Sequence, residues 1–317
     1  MKGDSMSIQG NSAESHDRLA SVPLARDPLR QAIERLVSAY RRQQWRVTEA
    51  RDMIDYASHA CAILSDGRFA VFAKFSDAAD GQEQFEIELA RLRFLADRAA
   101  VQIPTPIGVI RVAGGSILVL EAVQAAERNA EHWRDIGRTL ARLHKIKGTQ
   151  FGLESHGYFG PLYQDNTPLD DWPSFYAERR LLPMLKLATD SGNMPLEVRR
   201  QVEALIGRLP TLCGPTIQPT LIHGDAQQNN FISTDTGTVI IDPAAYYGHP
   251  EMDLALIDYF QPVPDDVFDG YRDELPIDPG FAERRELWRV WGYLAVSAVS
   301  GDAPFLRKLT EAVRKYV

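Results

Sequence analysis

The sequence predicts an α+β protein of two lobes: a small N-terminal lobe with an antiparallel sheet plus a helix, and a larger, mainly helical C-terminal lobe. Two observations predict it. Between residues 60 and 123, short apolar runs are punctuated by Asp-Gly and Gly-Gly turn signals, the pattern of hairpins. Beyond residue 123 the apolar residues recur mostly at helical spacing. A chain of 317 residues holds one large or two modest domains. The expected division is a flexible tail over 1–22, a small lobe over 23–122 and a large lobe over 123–317.

Taken in order, Leu29, Ile33, Leu36, Val37 and Tyr40 place an apolar stripe on a helix over 28–46. Ala60–Leu64 and Phe69–Phe75 flank Ser-Asp-Gly-Arg and read as a hairpin turning at Asp66-Gly67. Phe85, Leu89, Leu92 and Leu95 mark a helix over 82–99, which Pro104 and Pro106 separate from the next strand. Residues 110–123 give a second hairpin around Gly114-Gly115, with Ile117–Leu120 as its buried strand. Helices are expected over 132–145, 169–188, 196–209, 281–300 and 304–317.

Bulk properties narrow the function classes. Apolar content of 44% and charged content of 25% are those of an ordinary soluble globular chain. No apolar run approaches the ~18 residues of a membrane span, and the polar N-terminus has no signal-peptide core. Cys61 and Cys213 make no disulfide framework, so a reducing cytoplasm is expected. The 35 basic and 43 acidic residues leave a net charge of −8, which disfavours nucleic acid and suits a cationic or amine-bearing small molecule. Nothing in the sequence chooses between monomer and homodimer.

The stretch Leu221–Leu256 carries the chemistry. His223-Gly-Asp225, four intervening residues, Asn230, then the apolar run Val239–Ile241 ending in Asp242 is the spacing of a phosphoryl-transfer loop. One carboxylate, Asp225, must accept the proton of the attacking hydroxyl. An amide and a second carboxylate, Asn230 and Asp242, must hold Mg²⁺ on the phosphates of ATP. His223 is expected to support the loop from beneath, since the base is already supplied.

Lys74 lies in the apolar strand Val71–Phe75, where an unpaired ammonium is costly. Glu88, on the face of the next helix shared with Phe85, Leu89 and Leu92, is the expected partner, with Glu86 as competitor. Such a pair positions a lysine on nucleotide phosphates. The alternative is an edge-strand lysine in water. Residues 47–60 should cover the phosphates but contain no glycine, leaving Ser58 and backbone groups for that task.

These residues resemble the fructosamine kinase family, relatives of the aminoglycoside phosphotransferases with a bilobal protein-kinase-like fold. The resemblance spans nearly the whole chain after the tail. It is carried by Phe85-Glu-Ile-Glu88, Leu140-Ala-Arg-Leu-His144, Gly157-Tyr-Phe-Gly160, Glu178-Arg-Arg-Leu181 and above all Ile241-Asp-Pro-Ala-Ala-Tyr-Tyr-Gly-His-Pro-Glu251-Met-Asp253. It implies ATP- and Mg²⁺-dependent phosphorylation of a sugar hydroxyl of a ketosamine. By position it implies Asp225 as base, Asn230 and Asp242 as metal ligands, Lys74 and Glu88 as the nucleotide pair, and the backbones of Glu121, Ala122 and Val123 as the adenine hinge. Asp253 would brace the catalytic loop; a helix N-cap is its alternative. Trp172, Tyr246 and Tyr247 are candidates for the acceptor wall, with core packing as the alternative. Gln227 is a further candidate, because Ala226-Gln-Gln-Asn229 replaces the family's usual Leu-Trp-Ser-Gly. The alternatives are an aminoglycoside or amino-alcohol phosphotransferase of the same fold, and an inactive kinase-like binding protein.

Overall fold

The computed structural model describes residues 19, 21–53 and 59–317. Ser58 and most of the 1–22 segment lie outside the described residues. The chain divides into two compact units. One holds the described residues up to 89 together with 104–124, the other residues 90–103 and 125–317.

In the first unit, helix α1 (Leu29–Arg41) is followed by β1 (Glu49–Asp52), β2 (Ala60–Ser65), β3 (Ala70–Ser76), the start of helix α2 (Gly81–Ala99), whose residues from 90 on belong to the second unit, and then β4 (Pro106–Val112) and β5 (Gly115–Glu121). The helix expected over 28–46 stops early because Arg42 turns into the left-handed region at φ 54°. The sheet runs β1-β2-β3-β5-β4, antiparallel throughout. The turn at Asp66-Gly67 forms as its chemistry dictates: the Asp66 carboxylate accepts from the amides of Arg68 and Phe69, and Gly67 takes φ 85°. Strand alternation sends Val71 and Ala73 into a core with Ile33, Val37, Leu64, Ile117 and Val119. Lys74 therefore points to the opposite face, and its strand lies in the middle of the sheet rather than at an edge.

The second unit carries α3 (Ala130–His144), the hairpin β6 (Gly157–Phe159) and β7 (Leu162–Gln164), α4 (Trp172–Phe175), a π-helical stretch Tyr176–Leu181, α5 (Leu182–Asp190) and α6 (Leu196–Leu212). Then come β8 (Thr220–Ile222), β9 (Phe231–Thr234), β10 (Gly237–Ile240), β11 (Tyr246–Gly248), α7 (Pro250–Leu256), α8 (Asp266–Arg272), α9 (Phe281–Ser300) and α10 (Ala303–Arg314). Leu287, Trp288, Val290, Trp291 and Leu294 line the buried side of α9 and anchor the larger core. Helices α3 and α8 pack through glycines. A Cβ on Gly137 would lie 1.9 Å from the Val267 carbonyl oxygen, and one on Gly270 would lie 2.0 Å from that of Arg134. Two short ribbons, β8 with β11 and β9 with β10, hold the loop that carries His223, Asp225 and Asn230.

Two expectations about the acceptor wall are corrected here. Trp172 is only 3% exposed and packs with Phe175, Tyr176 and Trp288, and Tyr246 is only 1% exposed. The Tyr246 ring stacks with Phe175, and the Arg180 guanidinium lies 4.0 Å from its centroid and 4.7 Å from that of Phe175. Aromatic rings that large stabilise most when fully buried, and both are core.

Candidate active site

Asp225 follows β8 in a loop whose path is set by Gly224. That residue has φ 80°, and a Cβ on it would come within 2.3 Å of the Ala244 carbonyl oxygen. Gly224→Ala combines left-handed strain with a backbone clash. Near-complete loss of activity, with a fall in melting temperature, is expected; wild-type turnover in the alanine variant would contradict this account of the loop.

The loop closes on itself. The Asn230 side-chain nitrogen donates to the Asp225 carbonyl at 2.8 Å and to its carboxylate at 3.0 Å. That orients the amide, leaving its oxygen as a free hard donor. The Gln227 amide approaches the same carboxylate at 3.3 Å and 3.5 Å. Asp242 stands just after β10 in the left-handed region, φ 51°, a conformation aspartate tolerates better than most. Burial pushes the Asp225 carboxyl up to about 7; the Gln227 and Asn230 amides oppose this, and the nearby Asp242 charge adds to it.

Beneath the loop lies a buried polar network. Both nitrogens of His223 are committed: Nδ1 accepts from the Asp225 amide and Nε2 donates to the Ile241 carbonyl. Burial lowers its pKa, so the ring is held neutral. The fully buried Asp253 carboxylate accepts from the amides of His223 at 2.7 Å and Gly224 at 3.0 Å, and from His144 Nε2 at 3.1 Å. His144 Nδ1 in turn meets the Tyr271 hydroxyl at 2.9 Å. The N-cap of α7 is His249, not Asp253. His144 and Tyr271 were invisible as partners in the sequence, 127 positions apart.

In the first unit, Lys74 Nζ meets Glu88 at 3.0 Å, with side-chain exposures of 7% and 14%. Glu86 instead accepts from Gln82 on the exposed side of α2. The amides of Glu121 and Ala122 donate to the carbonyls of Thr105 and Ala70. Tyr247 stays half-buried, edge-on to Phe94. Among the described residues no group of three or more His, Cys, Asp or Glu forms a metal cluster.

The fructosamine kinase family model matches residues 29–316. The chain belongs to the fructosamine kinase family. It is 34% identical to a protein of Synechocystis sp. assigned as a ketoamine kinase, over 83% of this chain and 89% of that one. It is 31% identical to the ketosamine-3-kinase of Mus musculus, over 71% and 81%. A crystal structure assigned as a fructosamine-3-kinase from Thermobifida fusca superposes with a TM-score of 0.74 at 31% identity, covering 86% of this chain and 94% of that one. As a member of this kinase family the chain is a phosphotransferase, and its fold is the kinase-like fold of those enzymes. No helix among the described residues is long and apolar enough to cross a membrane.

Proposed function

We propose that this fructosamine kinase transfers the γ-phosphoryl group of ATP to a sugar hydroxyl of a ketosamine, with Asp225 as the base. The observation that carries the reading is the Asp225 carboxyl itself: held by Asn230, approached by Gln227, and raised to about 7 by burial. A carboxylate poised there accepts a hydroxyl proton near neutral pH. Residues of the second unit then have separable tasks. Asp225 orients and deprotonates the hydroxyl, Gln227 and Tyr247 line the acceptor, and Asp253 and His223 hold the loop.

The donors fit Mg²⁺. The Asn230 amide oxygen and the Asp242 carboxylate are hard ligands, and two protein oxygens are enough where phosphates and water complete the shell. When bound, the ion neutralises charge on the phosphates. In the first unit, Lys74, steadied by Glu88, binds the nucleotide phosphates. With the Glu121 and Ala122 amides already used, the Val123 amide is the hinge donor for adenine. The net charge of −8 favours an amine-bearing acceptor.

The test is ATP consumption by the wild type and Asp225→Asn against ribulosamines, erythrulosamines, fructosamines and aminoglycosides. Ketosamine turnover that disappears in the variant is the expected result. Turnover on aminoglycosides alone would overturn the acceptor assignment. Lys74→Met, which keeps much of the bulk and removes the charge, should raise the KM for ATP and lower kcat/KM at least tenfold, leaving a folded protein by circular dichroism. An unchanged KM for ATP would remove Lys74 from the nucleotide site.

A further inference from the structure

Arg128 lies on the irregular segment before α3, which is fastened to the site by the Ala126 amide donating to the Ser233 carbonyl at 2.8 Å. Its guanidinium lies over the Trp133 ring, 4.5 Å from the centroid. From there Nη2 donates to the Gln228 carbonyl at 2.9 Å and to the Phe231 carbonyl, and Nη1 reaches the Gln228 side-chain oxygen at 3.5 Å. Gln228 and Phe231 bracket the single turn, Gln228–Asn230, that presents the Asn230 side chain. Gln228 itself is tied on its far side, through Nε2 to the Gln261 carbonyl at 3.3 Å.

We propose that Arg128 is a positioning residue for phosphoryl transfer: it clamps the two ends of the Asn230 turn and so fixes where the Asn230 amide oxygen points. The proposal rests on reading Asn230 as a metal ligand. The two N–H groups of Nη2 serve both backbone carbonyls, and stacking on Trp133 holds the planar guanidinium in place at small entropic cost. Arg128 adds to the turn's own bonds, among them the Phe231 amide donating to the Gln228 carbonyl. The Asn230 amide donates back to Gln227 within the turn, and its carbonyl accepts from Ile241. Without the clamp, the Gln228 carbonyl keeps only the Phe231 amide and the Phe231 carbonyl loses its guanidinium partner. The turn then relaxes, and the Asn230 side chain trades its bond to Asp225 for other rotamers. A lysine at 128 keeps the charge and the donors for the carbonyls but loses the planar stack on Trp133 and the second nitrogen that reaches the Gln228 side chain.

The experiment compares wild type, Arg128→Met, Arg128→Lys, Asn230→Ala and the double variant Arg128→Met/Asn230→Ala. Two quantities are read: the Mg²⁺ concentration giving half-maximal turnover, and the rise in melting temperature that Mg²⁺ adds to saturating AMP-PNP. Residues supporting a ligand from outside typically alter metal affinity about 10–100-fold. Arg128→Met should therefore raise the Mg²⁺ requirement at least tenfold and shrink the Mg²⁺-dependent thermal shift, with the KM for the acceptor little changed. Arg128→Lys should fall between. In the Asn230→Ala background the arginine substitution should add little, because the group it positions is gone. If Asn230→Ala raises the Mg²⁺ requirement and Arg128→Met does not, the clamp proposal is wrong. If Asn230→Ala itself leaves the requirement unchanged, the metal-ligand reading fails first. Additive effects of the two substitutions would reduce Arg128 to a general stabiliser of the fold.

Discussion

Asp225→Asn is expected to lower kcat by about 10²–10⁴, the usual contribution of a positioned base, while AMP-PNP still raises the melting temperature. The isostere keeps the shape of the loop and an acceptor for the Asn230 amide, so the loss is chemical rather than structural. The wild-type profile of kcat/KM should show an acid limb near pH 7, where the raised Asp225 carboxyl titrates: activity rises as the pH climbs through about 7 and is flat above it. The limb in kcat should lie lower, because a bound cation beside the carboxylate favours its ionised form. Stability should run the other way. The folded carboxyl keeps its proton between the free value of 3.8 and about 7, where the unfolded chain has lost it. Stability therefore falls as pH rises across that window. Asp225→Asn removes this penalty and should melt higher than the wild type at pH 8, with the gap closing towards pH 5. A variant that retains a tenth of the activity, or that melts lower at pH 8, would falsify the assignment.

Asp253→Ala should be the most destabilising single substitution among the site residues. It leaves three buried donors, the amides of His223 and Gly224 and the Nε2–H of His144, without their acceptor. Each unsatisfied buried donor costs about 1–3 kcal/mol. Allowing for relaxation, a loss of about 3–5 kcal/mol is expected, readable as a lower midpoint in urea with an unchanged slope. Asp253→Asn fares only slightly better, since its NH₂ must face one of three donors. Tyr271→Phe, which removes the last link of the same chain, should cost about 1 kcal/mol. Equal losses for Tyr271→Phe and Asp253→Ala would mean that the carboxylate is not the centre of the network.

The spacing of the candidate site is legible in the sequence because it is local. His223, Asp225, Asn230 and Asp242 lie within 20 residues, and their chemistry constrains both type and order. The hairpins were legible because Asp66-Gly67 and Gly114-Gly115 write their turns into the chain. What escaped was long-range or short. The helices Pro250–Leu256 and Asp266–Arg272 span barely two turns and give too few residues for a period. The hairpin Gly157–Gln164 has strands of three residues. Trp172 and Tyr246 were ambiguous because an aromatic residue beside a motif reads the same whether it lines a site or fills a core. Arg128 carries no clear local signal: its hydrogen-bond partners are about 100 positions away.

The close crossing of the helices Ala130–His144 and Asp266–Arg272 has a consequence for how this enzyme can change. With carbonyl oxygens standing where a methyl group on Gly137 or Gly270 would go, neither glycine can be exchanged without prising the helices apart. Tyr271 sits one residue beyond Gly270 and His144 at the end of the other helix, so such a wedge would draw the tyrosine hydroxyl away from the imidazole. A substitution of one methyl group would thus be felt through Asp253 at the loop that holds Asp225. Surface residues of both helices are free to drift; this one seam is not, and a search for tolerated variants should find the two glycines as restricted as Asp225.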